Sequence, residues 1–210
     1  MSEDKRISNI ENQSEALAKK KDWMNRLESL SGKPIDKSNG LTYLLIDCSG
    51  SMSDDNKLTL AKNGGKDYAK DAKLKGYAVG LIKFDSNAAL VLEPKSELVE
   101  FNSKIESLSI GGSTNMADAI TISVTHLANK FGNKVICIAT DGHPDDREAT
   151  ISAAERAKKA GIEIMTIGTP DADNEFLRRL ATRKELAVEV KTHQLQEGIK
   201  SMANLLPSRT

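Results

Sequence analysis

Apolar and polar positions along the chain alternate between two patterns, one typical of strands and one typical of helices. Short, nearly continuous apolar runs predict buried strands, and apolar residues spaced three or four apart predict helices. Strands are predicted at 42–46, 77–84, 88–92, 134–140, 162–167 and 187–190, and helices at about 54–74, 116–131, 146–159, 174–181 and 194–206. Because strands alternate with helices, the pattern predicts an α/β fold with a mainly parallel sheet covered on both faces. The turn residues at 85–87 make 88–92 a returning antiparallel strand.

The first part of the chain differs from the rest in composition. Before Gly32-Lys33-Pro34 the sequence is polar and rich in charge, and its apolar residues fit one narrow helical stripe: Ile10, Leu17, Met24, Leu27 and Leu30. We therefore predict an N-terminal helical extension over residues 1–38 and a separate domain over residues 39–207. The stripe suits packing of this helix on the chain's own domain or docking of this helix onto a partner, and the sequence leaves both open.

Two adjacent glycines interrupt the first long helical stretch. Gly64 and Gly65 stand in its middle, where each glycine costs about 1 kcal/mol relative to alanine. Either the helix approaches the sheet very closely at this point, or it is broken there. The sequence alone does not decide between the two.

Oxygen-bearing side chains gather where three apolar segments give way to loops. Asp47, Ser49 and Ser51 follow the first predicted strand, Thr114 lies in a glycine-rich segment at 111–115, and Asp141 follows the strand at 134–140. In doubly wound sheets, ligands bind beyond the carboxyl ends of the strands, where the strand order reverses. Carboxylate and hydroxyl oxygens suit a hard cation such as Mg²⁺, which keeps some water. We predict that these five residues meet around one metal ion.

These segments resemble the metal-ion-dependent adhesion site of von Willebrand factor A domains. The shared features are Asp47-x-Ser49-x-Ser51, Thr114 in a Gly-Gly-Ser-Thr context, and Asp141-Gly142 after a strand. The resemblance covers about residues 39–206. It implies a six-stranded, doubly wound, Rossmann-like sheet in three layers with a single antiparallel edge strand, for which 88–92 is the candidate. It also implies that Ser49, Ser51 and Thr114 coordinate Mg²⁺ directly, and that the two aspartates do so directly or through water.

By the same resemblance, the domain is a protein-interaction module rather than an enzyme. A protein partner would complete the metal shell with an Asp or Glu side chain. The resemblance is greater to intracellular bacterial-type members, which often serve as adaptors for ATPase or stress-response assemblies. Movement of the last helix on ligand binding is a further expectation. The sequence does not identify the partner or the oligomeric state, and it leaves Mn²⁺ and Ca²⁺ open beside Mg²⁺.

Two other functions remain to be weighed. One is a Mg²⁺-dependent hydrolase, such as a phosphatase; however, Ser49 stands where an aspartyl-phosphate enzyme needs a second carboxylate, and no Gly-x-Ser-x-Gly elbow is present. We therefore predict no catalytic residues. The other is a structural subunit whose metal only stabilises the loops. A simpler explanation of the residues themselves is that Asp47, Ser49 and Thr114 merely cap helices.

Composition limits the classes of partner. The 210 residues carry 30 Lys+Arg and 30 Asp+Glu, so the net charge is zero, and aromatic residues are 4%. This balance argues against nucleic acid and anionic membranes as partners. The first residues lack the apolar run of a secretory signal, and Cys48 and Cys137 have no zinc or disulfide spacing. We expect a cytoplasmic protein with two reduced core thiols.

Several residues near the predicted site have ordinary explanations. Asp54 and Asp55 are expected to begin the first helix, where negative charge suits the helix dipole. Asp145 and Glu148 resemble a capping box of the helix at 146–159. His143 lies on the same loop and is a candidate for contact with a bound partner.

Overall fold

The fold is a six-stranded sheet with helices on both faces. The computed structural model describes residues 39–95 and 97–208, so the predicted N-terminal helix lies outside the described residues. The strands are β1 (Gly40–Asp47), β2 (Tyr77–Phe84), β3 (Ala88–Lys95), β4 (Asn133–Thr140), β5 (Glu163–Gly168) and β6 (Ala187–Glu189). The helices are α1 (Lys57–Leu74), α2 (Leu98–Glu106), α3 (Met116–Leu127), α4 (Arg147–Lys159), α5 (Asn174–Leu180) and α6 (Leu195–Met202).

The strand order confirms the predicted fold class. The strands lie in the order β3-β2-β1-β4-β5-β6, and β3 is the antiparallel strand at one edge. All other pairings are parallel. β1 and β4 are neighbours in the centre, and the chain proceeds outward from them in opposite directions. The strand order therefore reverses between β1 and β4, and the loops that follow these two strands meet at the carboxyl edge of the sheet.

Side chains of β1 alternate between two hydrophobic cores. Leu44 and Ile46 belong to the core under α1, α2 and α6, whereas Tyr43 and Leu45 belong to the core under α3, α4 and α5. Every residue of β1 is buried. Because both faces are covered, the strand is a continuous apolar run rather than an alternation of polar and apolar residues. The continuous apolar runs therefore correspond to strands covered by helices on both faces, which is the predicted three-layer architecture.

Close packing explains the two glycines of α1, which is not broken. A Cβ atom on Gly64 would lie 2.7 Å from the carbonyl oxygen of Gln196 on α6. A Cβ atom on Gly65 would lie 2.4 Å from Ile105 Cδ1 on α2 and 2.9 Å from Leu44 Cδ2 on β1. Both glycines therefore let α1 approach its neighbours more closely than any side chain would allow.

We expect Gly64→Ala to destabilise the domain by about 1–3 kcal/mol, because overpacking against a backbone carbonyl outweighs the gain in helix propensity. Chemical denaturation measures the difference. Lys70→Ala, at an exposed position of the same helix, is the control and should change stability by less than about 0.5 kcal/mol. A Gly64→Ala variant as stable as the wild type would contradict the close packing of α1 on α6.

The start of α1 differs from the prediction. Asp54 and Asp55 were expected to begin the helix, but they lie in a 3₁₀ segment, Gly50–Asn56, and α1 begins at Lys57. Asp55 and Asn56 have φ angles of 49° and 56°, in the left-handed region that helices exclude. This left-handed pair delays the start of the helix, so its first residue is a lysine rather than an aspartate.

Two further observations concern the cysteines and the possibility of a membrane-spanning helix. Cys48 and Cys137 are buried and free, as predicted. Within the described residues, no helix is both long and apolar enough to cross a membrane.

Candidate metal centre

Two backbone hydrogen bonds join the loop after β1 to the glycine-rich segment before α3. Gly50 N–H donates to Gly112 O at 2.8 Å, and Gly111 N–H donates to Cys48 O at 2.6 Å. A Cβ atom on Gly111 would lie 2.3 Å from Asp85 Oδ2, so only glycine fits here. The absence of side chains thus lets two segments distant in sequence share one edge of the sheet.

The structure brings the five predicted residues together. Ser49 Oγ lies 3.1 Å from Ser51 Oγ, and the Ser51 hydroxyl donates to Asp141 Oδ1 at 2.8 Å. A Cβ atom on Gly142 would lie 3.5 Å from Thr114 Oγ1, 3.7 Å from Asp47 Oδ2 and 3.7 Å from Ser51 Oγ. Oxygens from three separate loops therefore lie close together beside Gly142.

Asp47 is fully buried and accepts hydrogen bonds on both of its oxygens. Ser49 N–H donates to Oδ1 at 2.8 Å, and the Thr140 hydroxyl donates to Oδ2. Burial raises the pKa of Asp47 to about 6, against a smaller opposing effect of these hydrogen bonds. The carboxylate is therefore held in one orientation, in surroundings that disfavour its negative charge.

Asp141 is paired with a buried lysine that sequence reasoning missed. Lys57 Nζ lies 2.7 Å from Asp141 Oδ2 and 2.9 Å from Asp171 Oδ2. Burial by itself would lower the pKa of Lys57, but hydrogen bonds to two carboxylates raise it above its ordinary value. Lys57 therefore carries a positive charge inside the site. One oxygen of Asp141 contacts this ammonium, and the other contacts the Ser51 hydroxyl.

Asp145 holds the backbone of Thr114, which corrects the prediction that it caps α4. Asp145 Oδ2 accepts from Thr114 N–H at 2.9 Å, and Asp145 N–H donates to Thr114 O at 3.0 Å. The residue that caps α4 is Asp146, whose side chain accepts from Ala149 N–H. The capping-box pattern was assigned one residue too early, because the chain first turns back to contact Thr114.

A model of the von Willebrand factor type A domain family matches residues 43–201. The chain belongs to this family. Chicken matrilin-1 (Gallus gallus) is 32% identical over 130 residues, which are 54% of this chain and 26% of matrilin-1. The chain thus spans about a quarter of the length of that relative.

Solved structures show the same fold as this von Willebrand factor A (VWA) domain. The vWF domain of the pilus tip protein Mfa5 from Porphyromonas gingivalis superposes with a TM-score of 0.72 at 14% identity, over 79% of this chain and 94% of that one. Proximal thread matrix protein 1 of the mussel byssus superposes with a TM-score of 0.70 at 19% identity, over 82% of this chain and 48% of that one. That mussel protein has a zinc-occupied MIDAS motif, the family's metal-ion-dependent adhesion site.

The donor set of this VWA domain fits a hard divalent cation. The three atoms nearest to a Cβ on Gly142 are all side-chain oxygens, from Thr114, Asp47 and Ser51, and the buried Asp141 carboxylate contacts Ser51. Among the described residues, no three or more His, Cys, Asp or Glu side chains cluster in a way that could hold a metal. Carboxylate and hydroxyl oxygens of this kind suit a divalent cation that accepts oxygen ligands.

Two residues of the VWA site escaped the sequence analysis for different reasons. Thr140 is the last residue of β4, and nothing in the pattern distinguishes its hydroxyl from that of any strand threonine. Lys57 gave a weak signal, because a lysine in the first turn of a helix is unfavourable beside the positive end of the helix dipole. Such a lysine needs a compensating partner, and here it has two.

We expect Asp145→Ala to weaken metal binding by about five- to tenfold, because losing one charged hydrogen bond frees the backbone of Thr114 without removing a ligand. Isothermal titration calorimetry with Mn²⁺ measures the change. Asp145→Asn keeps an acceptor oxygen and serves as the control, with affinity near that of the wild type. Equal affinities for all three proteins would show that Thr114 does not need this support.

Proposed function

We propose that this VWA domain is a metal-dependent protein-interaction module. Its site would hold a divalent cation, Mg²⁺ in the first instance, through Asp47, Ser49, Ser51, Thr114 and Asp141. A protein partner would contribute an Asp or Glu carboxylate to the same ion. The proposal rests on the proximity of these five side chains, since oxygens of Asp47, Ser51 and Thr114 lie nearest to Gly142 and those of Ser49 and Asp141 contact Ser51.

The charge and exposure of the site support an acidic partner. Two carboxylates and three neutral hydroxyls leave a bound divalent cation accessible as a hard Lewis acid, which prefers a further anionic oxygen. Asp47, Asp141 and Thr114 are buried, whereas Ser51 and Gly50 are exposed. The site thus has a rigid floor and an open rim, from which an outside carboxylate can approach.

The environment of Asp47 argues against the hydrolase alternative. A carboxylate nucleophile must reach its substrate, but Asp47 has no exposed surface and both of its oxygens accept hydrogen bonds. Ser49 N–H and the Thr140 hydroxyl hold this carboxylate in place instead. A role in positioning an ion accounts for this arrangement, and nucleophilic attack does not.

We further propose that the protein is a cytoplasmic adaptor, whose partners belong to an ATPase or stress-response assembly. The two buried, free thiols suit a reducing compartment. The balanced charge of the chain favours a protein partner over nucleic acid or a membrane.

Affinity capture tests the proposed function. The wild type, immobilised and exposed to a lysate of its source, should retain a partner in Mg²⁺ and release it on addition of chelator. Asp47→Asn should retain none, whereas Asp54→Asn, which changes an exposed carboxylate on the same loop, should behave as the wild type. Replacing one Asp or Glu of the captured partner should also abolish retention. Equal capture with and without chelator, and by the wild type and Asp47→Asn, would contradict the proposal.

The alternatives predict different outcomes in the same set of variants. A purely stabilising metal predicts that Thr114→Ala lowers the melting temperature without changing capture. A hydrolase predicts metal-dependent turnover of phosphate esters that is lost in Asp47→Ala.

A further inference from the structure

Lys57 is the one basic side chain hydrogen-bonded to the predicted metal ligands among the described residues. Its side chain is 5% exposed, and its ammonium bridges Asp141 Oδ2 at 2.7 Å and Asp171 Oδ2 at 2.9 Å. The Asp171 side chain is 64% exposed, whereas that of Asp141 is fully buried. Lys57 thus extends from the buried ligand to a carboxylate at the surface, on the loop that follows β5.

Lys57 occupies an unfavourable position for a buried positive charge. It begins α1, where the helix dipole repels a positive charge. Asp55 and Asn56, residue types that tolerate left-handed backbone, both have positive φ angles immediately before it. A buried lysine held at this helix start against a metal-site carboxylate suggests a role in function rather than in folding alone.

The contacts of Asp141 define what that role is. Its Oδ1 accepts from the Ser51 hydroxyl, and its Oδ2 is bound by the ammonium of Lys57. A divalent cation that binds this carboxylate must therefore share it with an existing positive charge. Of the two buried carboxylates, Asp47 faces only hydroxyl and amide donors, so the competition concerns Asp141 alone.

We propose that Lys57 sets the metal affinity of this site by competing with the cation for Asp141. This proposal rests on the proposed function, since it assigns a role toward the same metal. Lys57 weakens metal binding, and Asp171 limits that effect by drawing the ammonium toward the surface.

Isothermal titration calorimetry with Mg²⁺ and with Mn²⁺ alone tests the proposal. Lys57→Met should bind either ion about tenfold more tightly than the wild type, because Asp141 Oδ2 is then no longer shared with an ammonium group. Lys62→Met should remain within about twofold; this lysine lies five residues further along α1, and its ammonium donates to the Glu106 carbonyl oxygen rather than to a predicted metal ligand. Unchanged or weaker binding by a folded Lys57→Met variant would overturn the proposal.

A double-mutant cycle separates competition for Asp141 from a general effect of charge. In an Asp141→Asn background, Lys57→Met should give little or no gain in affinity, because the shared carboxylate is absent. A full gain in that background would contradict direct competition.

The metal-induced rise in melting temperature should also be larger in Lys57→Met than in the wild type, since metal then replaces the missing partner of a buried carboxylate. A lysine that only stabilised the fold would not produce either result.

Asp171→Asn tests the proposal at an exposed position, where folding is not at risk. The change should weaken metal binding by about threefold, opposite in sign to Lys57→Met, because the ammonium then contacts Asp141 alone. Unchanged or tighter binding would contradict the role given to Asp171.

The behaviour of the wild type distinguishes this proposal from the proposed function. If neither the wild type nor Lys57→Met binds a divalent ion, both proposals fail. If only Lys57→Met binds, the lysine blocks the site, so this inference holds and the proposed function fails. If both bind equally, the proposed function survives and this inference fails.

Discussion

In excess chelator at pH 7, Asp47→Asn will be more stable than the wild type by about 3 kcal/mol. The reason is the cost of burying the charge of Asp47, whose pKa rises from its ordinary 3.8 to about 6 in the fold. Asparagine keeps the shape and removes the charge. Its carbonyl oxygen can accept from Ser49 N–H, and its amide group can donate to Thr140 Oγ1.

The raised pKa of Asp47 determines how the stability difference between the two proteins depends on pH. Because the folded pKa of Asp47 lies above the unfolded value, its contribution to stability is fully present below pH 3.8 and is lost as the pH rises through about 6. The advantage of the variant should therefore be greatest at pH 7 and disappear below about pH 4. Other carboxylates with lowered pKa values, such as Asp85 and Asp173, affect both proteins equally and cancel in the comparison.

Denaturant unfolding of both proteins at several pH values, always with chelator, measures this difference. Asp54→Asn controls for the loss of a negative charge at an exposed position and should change stability by less than about 0.5 kcal/mol. An Asp47→Asn variant that is less stable than the wild type throughout would show that the buried charge is not a cost to the fold.

The same substitution should lower the affinity for Mg²⁺ or Mn²⁺ at least about a hundredfold, because it removes one of the two charged ligands from a buried position. Calorimetric titration at pH 7.5 measures the loss, since Asp47 is then ionised in the wild type. The wild-type affinity should also fall as the pH is lowered below 6, where protons compete with the metal for this carboxylate.

Asp54→Asn again provides the control, with metal affinity within about threefold of the wild type. Undiminished metal binding by Asp47→Asn would remove Asp47 from the site. Together the two results would show that the charge of Asp47 destabilises the metal-free fold and is needed to bind the metal. The protein then has a less stable fold and a metal ligand that is already in position.

The fold was predictable because strand and helix patterns differ in period and length along most of the chain. The run at 77–84 coincides with β2, and the antiparallel strand was identified from the turn at 85–87. The role of Gly64 and Gly65 was not predictable, because it depends on contacts with α6, α2 and β1 that the local sequence does not encode. The predicted start of α1 was wrong, because the left-handed backbone at Asp55 and Asn56 leaves no clear pattern in the sequence.

The predicted site residues meet because the topology aligns the ends of β1 and β4 at one edge. Their spacing along the chain was sufficient to identify the segments. The residues that support the site were not found, because their roles arise from tertiary contacts. Asp145 was assigned to a helix cap and holds Thr114 instead. Lys57 carries no motif, although its place at the positive end of a helix signals an unusual environment.

In a crystal soaked in Mn²⁺, the anomalous scattering of the metal would locate the ion. We predict one strong peak beside Gly142, with the hydroxyls of Ser49, Ser51 and Thr114 in its coordination shell and the Asp47 and Asp141 carboxylates bound to it directly or through water. A peak elsewhere on the domain, or none at saturating Mn²⁺, would contradict it.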